Sequence, residues 1–338
     1  MTSHSKFYRA IIACLFVSFL FWSCGPSKKH KKEPTQQAQN ATATRDWNRF
    51  PAIVERNTKN EVIALGDVHG GYERLVNLLS TAGLIQPTAQ PQTPYAWSGG
   101  NRILVCIGDL IDKGDHSIEV IDLMMALESQ APSAGGEVIV TMGNHEAEFL
   151  ANPNNKKAGE FRDELQGKGI DPESLRRGEK SYGEWLMERP FAARINDWFF
   201  AHAGNSAGKT LDELASGLRS VVDRGEWSSP LLIGEDSLLE AREWWKGSGD
   251  AKQLLDDYLR ALGAKHIVFG HDPSAFHDKG NIGEEKDGRI FLIDVGMSPA
   301  IDYSKGALLL IEVEDKHVVA TVLNADGIKK VLWQGGAL

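Results

Sequence analysis

Asp67 and His69 stand two residues apart in Gly66-Asp67-Val68-His69-Gly70. On an extended strand end, residues i and i+2 point to the same side, so this carboxylate and imidazole can reach one cation. Asp109 sits in Gly108-Asp109-Leu110-Ile111-Asp112-Lys113-Gly114, where its carboxylate could bridge two cations. Asn144, in Gly143-Asn144-His145-Glu146, offers an amide oxygen. His202, in His202-Ala203-Gly204, and His271, in Gly270-His271, offer imidazole nitrogens. Mixed nitrogen and oxygen ligands without thiolate suit Mn, Fe or Zn better than a structural zinc site. The set points to hydrolysis at a two-metal centre.

Such residues act together only if the fold brings them together. Each segment follows a run of β type: Val62 to Leu65, Ile103 to Ile107, Val138 to Met142, Asp197 to Ala201 and Lys265 to Phe269. In open α/β sheets the ends of strands are where ligands bind. Taken singly, an Asp-Gly or Asn-His pair is ordinary turn chemistry, and a lone His after a strand is more often structural. Five strand ends that all supply metal-type ligands are hard to explain as turns.

Around these strands the pattern alternates. Strands are expected at 61–66, 102–108 and 137–142, each leading through a motif into a helix, at 71–83, 115–129 and 145–151. Residues 85–100, rich in Pro, Gln and Gly, read as a loop. Residues 152–190 read as an irregular helical insertion over the site. Further strands are expected at 197–201 and 265–269, with helices at 210–222, 236–246 and 250–262. Late strands at 289–294, 306–313, 317–323 and 328–333 complete an α/β fold of two packed mixed sheets flanked by helices.

The ordered set Gly-Asp-Val-His-Gly, Gly-Asp-Leu-Ile-Asp-Lys-Gly, Gly-Asn-His-Glu, His-Ala-Gly and Gly-His resembles the phosphoprotein phosphatase branch of the calcineurin-like metallophosphoesterases, across about 61–298. Asp294-Val295-Gly296-Met297-Ser298 and the His-Ala-Gly form are most similar to the bacterial and Shewanella-like phosphatase subgroup. The resemblance implies two divalent cations, Mn, Fe or Zn. Asp67, His69 and bridging Asp109 would hold the first, and Asp109, Asn144, His202 and His271 the second. It implies that a water acidified by both attacks phosphorus in line. His145 would be the general acid, and Asp112 would orient it. Asn144 and Lys113 would contact phosphate. Lys113 departs from the family, which usually has Arg there; a lysine cannot make the bidentate fork of a guanidinium. For the second phosphate-binding cation the sequence offers Lys246, in Trp244-Trp245-Lys246-Gly247, with Arg242 as rival. Glu146 reads as a supporting or helix-start acid, and His116, His266 and His277 as structural.

The implied activity is phosphomonoester hydrolysis on a phosphorylated protein, with phosphotyrosine or a small phosphoester among the substrates. Two alternatives remain. One is a nucleotide phosphohydrolase of the dinucleoside tetraphosphatase type. The other is a metal-binding scaffold without activity, which the presence of every candidate ligand and of His145 argues against.

The N-terminus has its own character. Lys6 and Arg9 precede an apolar run from Ala10 to Trp22 that ends at Ser23-Cys24. A basic start, a short apolar stretch and a small residue before Cys read as a lipoprotein-type signal over 1–24. The polar stretch 25–46 reads as a tether, with too little apolar surface to order itself. The catalytic domain is then expected at 47–338, exported, held by lipid to a bacterial membrane facing the periplasm, and monomeric, with secretion or an uncleaved N-terminal anchor as the alternative. Residues 47–338 carry 30 Lys/Arg and 44 Asp/Glu, a net of −14. That excludes general nucleic-acid binding, which needs a basic face. With Cys14 and Cys24 in the signal, Cys106 is left alone inside a strand pattern and reads as an inert core thiol.

Overall fold

The computed structural model describes residues 45–179, 181–246, 250–314 and 317–336. The signal segment and most of the tether therefore lie outside the described residues. Among those described, no helix is long and apolar enough to cross a membrane.

The chain opens with strands β1 (Ile53–Arg56) and β2 (Val62–Leu65), helix α1 (Tyr72–Thr81) and a small hairpin, β3 (Ile85–Pro87) and β4 (Tyr95–Trp97). Strand β5 (Ile103–Cys106), helix α2 (Ser117–Gln130), strand β6 (Glu137–Val140) and helix α3 (Asn144–Ala151) follow. Three short helices come next: α4 (Gly159–Gly167), α5 (Pro172–Arg176) and α6 (Ser181–Met187). Then come β7 (Ala192–Ile195), β8 (Trp198–Ala201), α7 (Leu211–Asp223), α8 (Ala251–Leu262) and β9 (His266–Phe269). The chain closes through β10 (Gly283–Glu285), β11 (Ile290–Leu292), β12 (Ala307–Glu314), β13 (His317–Asn324) and β14 (Lys329–Gly335).

Two six-stranded mixed sheets result, ordered β1-β7-β8-β9-β11-β10 and β14-β13-β12-β2-β5-β6. Their facing sides share one apolar layer. Val62, Ala64, Ile103, Val105 and Leu309 from one sheet meet Ala193, Phe200, Val268 and Phe291 from the other. The alternate residues Ile63, Leu65, Leu104 and Cys106 turn outward into the helical layer with Leu75, Leu78 and Met124. Both faces of β2 and β5 are thus covered, which is why these strands read as unbroken apolar runs. Cys106 is fully buried and its thiol is pushed up by burial, as an inert core residue should be. His266 is buried and stacks on Trp198 with ring centroids 4.0 Å apart.

Several expectations are corrected. Residues 85–100 hold the β3–β4 hairpin rather than a plain loop. Strands β1 and β7 were not anticipated; they pair parallel, Ile53 opposite Ala192. Residues 236–246 do not form a helix beyond a short 3-10 turn at Trp244–Lys246. The backbone there bonds elsewhere: Ala203 N–H donates to the Leu238 carbonyl at 3.0 Å, and Glu243 is left-handed at φ 54°. Arg45 falls within the stretch expected as a tether. The Arg45 guanidinium is held by the carbonyls of Phe50, Pro51, Met187 and Arg189, so Arg45 belongs to the folded unit.

One pH effect follows from the pairing of β2 with β12. Glu61, just before β2, is pushed up from 4.5 to about 6 by burial and by Glu312 beside it. The folded state then binds a proton more tightly than the unfolded state. The resulting stabilisation is full below about 4.5 and is lost as pH rises through about 6. Glu61→Gln should therefore raise the melting temperature at pH 7.5, by on the order of 2 °C, and leave it nearly unchanged at pH 4.5. Melting curves at the two pH values check this; equal shifts at both would count against it.

Candidate active site

The loops after β2, β5, β6, β8 and β9 converge at one edge of the sandwich. They are tied to each other by backbone bonds: Asp67 N–H to Gly108 O at 3.1 Å, His69 N–H to Asp109 O at 2.8 Å and Gly270 N–H to His202 O at 2.7 Å. Asp67, His69, Asp109, Asp112, Lys113 and His271 all take left-handed φ, between 47° and 70°. Such conformations cost free energy in non-glycine residues and persist where the surroundings over-determine them. Gly143 sits so close to this framework that a Cβ would lie 2.2 Å from Asp109 Oδ1.

Glu146 holds the framework together. Its buried carboxylate accepts the N–H groups of Asp109, Leu110, Ile111 and Gly143 at 2.9, 2.8, 3.3 and 2.8 Å. It is thus more than a helix-start acid: it ties the loop carrying Asp109 to the one carrying Asn144.

The ligand-type atoms face inward. His69 Nδ1 is 2.9 Å from the Ile111 carbonyl and His202 Nδ1 is 3.0 Å from that of Ile107. A carbonyl only accepts, so each Nδ1 carries the proton and each Nε2 turns its lone pair inward, that of His69 lying also 2.8 Å from Lys113 Nζ. Those lone pairs meet further acceptors. Asp109 Oδ2 lies 3.4 Å from His69 Nε2 and 3.3 Å from His202 Nε2, and Asn144 Oδ1 lies 3.0 Å from His202 Nε2. Asn144 Oδ1 is also 3.0 Å from His271 Nδ1. Asp67 Oδ1 accepts the His271 N–H at 3.0 Å, while its buried Oδ2 has no hydrogen-bond partner among the described residues. Acceptors converging on acceptors in a buried site is the arrangement a cation satisfies. The donor atoms form two groups, His69–Asp109–His145 and Asp109–His202–His271, within 4.8 Å inside each group. Asp109 belongs to both, so the residues fit two divalent cations sharing one carboxylate.

The electrostatics agree. Burial, with Asp294 and Asp109 nearby, pushes Asp67 well above the carboxylate range. Burial also works against charge on Asp109, but His202, His145 and His69 around it hold it well below that range. Burial, His202 and Arg242 push His271 down to about 2, leaving it neutral and able to ligate. His145 goes the other way. Burial opposes its charge, yet Asp109 and a contact from Asp112 Oδ2 to its Nδ1 at 3.2 Å raise it above the ordinary imidazole value. Asp112 is itself fixed, since its Oδ1 accepts the Phe161 N–H of α4 at 2.9 Å.

A cavity of about 850 Å³ opens onto these residues, lined by Asp112, Lys113, Asn144, His145 and His271 from the core loops. Lys156, Lys157 and Glu160 reach it from the region of α4, and Glu240 and Arg242 from the segment before α8. Lys113 Nζ lies 2.8 Å from His69 Nε2. Of the two rival cations, Arg242 lines the cavity, paired with Asp272 at 2.6 Å. Lys246 does not line it; its ammonium pairs with Glu243 at 2.6 Å. Trp244 and Trp245 serve packing. Trp244 Nε1 donates to Ala203 O at 2.7 Å, and Trp245 is buried against Phe269 and Phe276. His116 stays outside the site, near Glu73 and Asp115.

Asp294 was missed as a site residue. It is buried, accepts the Gly296 N–H at 2.8 Å and is pushed up to about 6 by burial. An acid ending a strand run was the available signal, as it was for Asp67 and Asp109.

Comparison with known proteins agrees with this geometry. The model of the calcineurin-like phosphoesterases matches residues 61–275. An uncharacterized protein of Schizosaccharomyces pombe is 28% identical over 305 residues, covering 83% of this chain and 86% of that one. Shewanella-like protein phosphatase 1 of Plasmodium berghei is 24% identical over 356 residues, covering 96% and 91%. The crystal structure of a cold-active protein-tyrosine phosphatase from a psychrophilic Shewanella species superposes with a TM-score of 0.65 at 24% identity, covering 83% of each chain. With its fold, its five converging loops and the matched span in agreement, the chain belongs to the calcineurin-like phosphoesterase family.

Proposed function

We propose that the protein removes phosphate from phosphorylated proteins, phosphotyrosine among them, with Mn, Fe or Zn as its two cations. One observation carries the reading: two groups of ligand-type atoms share Asp109, and the imidazole of His145, which belongs to the first of them, is held by Asp112 at 3.2 Å. When bound, two divalent cations supply Lewis acidity toward phosphate oxygens and toward a water. The chain does the rest. Asp67, His69 and Asp109 would hold one cation, and Asp109, Asn144, His202 and His271 the other. His145 holds a proton for the leaving oxygen, and Asp112 keeps its ring in place. Lys113 and Arg242 place positive charge along the cavity for the phosphate. Turnover by the Mn-loaded protein of phosphotyrosine peptide, phosphoserine peptide and a dinucleoside polyphosphate tests this. Hydrolysis of a phosphopeptide is expected, and hydrolysis confined to the dinucleotide would overturn it.

Lys113 has a definite expectation. Lys113→Ala should raise KM and lower kcat, because phosphate charge is held in both ground and transition states. Lys113→Arg should keep activity, since a guanidinium restores bidentate contact. Steady-state kinetics of both variants decide it, and wild-type values for Lys113→Ala would remove the residue from the site.

We further propose export and lipid attachment at Cys24, with the protein acting as a monomer. The basic start, apolar run and Ser23-Cys24 support it. Cys24→Ser should release the protein from membranes with its catalytic activity intact. Membrane retention of that variant in a fractionation experiment would favour an uncleaved anchor.

A further inference from the structure

Asn144 is the one neutral oxygen donor in the site, and its amide can face either way. The oxygen and nitrogen ends have nearly the same shape, so only neighbours that distinguish donor from acceptor fix the orientation. Asn144 Oδ1 lies 3.0 Å from both His202 Nε2 and His271 Nδ1. On the other side, its Nδ2 donates to Glu240 Oε1 at 3.4 Å. Glu240 comes from the irregular segment between α7 and α8 and matches no motif. Its backbone is held by Ser237 Oγ, which accepts the Glu240 N–H at 2.9 Å. Its side chain is only 12% exposed, so its charge needs a partner. Lys157, just before α4, supplies one. The ammonium donates to Glu240 Oε1 and, at 3.1 Å, to Glu148 Oε1. Glu148 in turn accepts from Asn155 Nδ2 through its other oxygen.

We propose that Glu240, neutralised by Lys157, is a positioning residue that turns the Asn144 amide so that its oxygen faces His202 and His271. A carboxylate only accepts, so it selects the NH₂ end of the amide and directs the oxygen to the ligand group. Lys157 keeps that carboxylate beside Asn144 and connects the segment around α4 to the site. The inference rests on the reading that Asp109, Asn144, His202 and His271 take a cation.

The test is binding of Co²⁺ alone to the metal-free full-length protein, wild type against Glu240→Ala and Glu240→Gln, with the melting temperature of each metal-free protein measured alongside. The wild type is expected to bind two cations. Failure to do so would defeat the two-cation reading itself, before any variant is compared. Given two, Glu240→Ala should weaken one cation by about 10-fold and leave the other unchanged, the size of effect known for residues that orient ligands. Glu240→Gln keeps an oxygen acceptor for Nδ2 and should recover most of the loss. Wild-type affinities in Glu240→Ala, equal loss of both cations, a matching fall in the metal-free melting temperature, or no recovery in Glu240→Gln would each overturn the proposal. Should Glu240→Ala misfold, Glu240→Ser truncates the same contact and is read in the same way.

Discussion

Asp109→Asn is expected to abolish turnover and strip both cations from the protein. The reason lies in how many groups this carboxylate faces. It is 1% exposed, and its Oδ2 lies 3.4 Å from His69 Nε2 and 3.3 Å from His202 Nε2. Its Oδ1 accepts the His145 N–H at 3.0 Å. An asparagine has no good orientation here. With its NH₂ toward the two imidazoles, it donates to the lone pairs that ligation needs. With its NH₂ toward the His145 N–H, donor faces donor. Either way the negative charge common to both ligand groups is gone. Shared Lewis-acid stabilisation is worth several kcal/mol, and each 1.4 kcal/mol is tenfold, so a loss of about 10³-fold or more is expected. Removing a charge that His202, His145 and His69 stabilise should lower the melting temperature of the metal-free protein. What should vanish is the rise in melting temperature on adding Mn²⁺, which requires binding to the native state. Elemental analysis, turnover and melting curves check this together. Normal metal content with near-normal turnover would remove Asp109 from its bridging place.

The residues most legible in the sequence were those whose role is local. Asp67 and His69 share a strand end, and the run Val62 to Leu65 before them could hardly be anything but a buried strand. The same holds for Asp109 after β5 and Asn144 after β6, which pair in parallel and in register. What was not legible depends on partners far away in the chain. Strand β1 has only four residues, half of them exposed, and exists because β7, some 140 positions later, offers an edge. Residues 236–246 carry apolar residues at helical spacing, yet Leu238, Leu239, Ala241 and Trp245 are all buried in a segment that is irregular up to the 3-10 turn at Trp244–Lys246. With the helix gone, Lys246 points to Glu243, and Arg242 takes the place at the cavity. Glu146 was visible as an acid, but its function appears only when the Asp109 and Gly143 loops touch. Glu240 gives no signal of its own, since its meaning comes from Asn144 on one side and Lys157 on the other.

His145→Asn separates two roles that the geometry brings close together. His145 shares a group with His69 and Asp109 whose donor atoms could hold a cation. Its Nε2 is 3.9 Å from Asp109 Oδ2, longer than the 3.4 Å of His69 and the 3.3 Å of His202. Burial works against a charged ring, but Asp109 and Asp112 raise His145 above the ordinary imidazole value. A ring that keeps its proton donates; it does not ligate. The variant should therefore retain both cations and lose turnover by about 10²–10⁴-fold on a phosphoserine peptide, whose alkoxide leaving group needs a proton. On p-nitrophenyl phosphate the loss should be much smaller, because that leaving group is stable as an anion. The pH dependence gives an independent check. An acid with a raised pKa is in its active form below that value, so wild-type kcat should fall as pH rises beyond the usual imidazole range. The variant should show no such fall. Equal losses on both substrates would assign His145 to holding structure or phosphate. Loss of one cation would make it a ligand, and the proton would then have to come from elsewhere in the cavity.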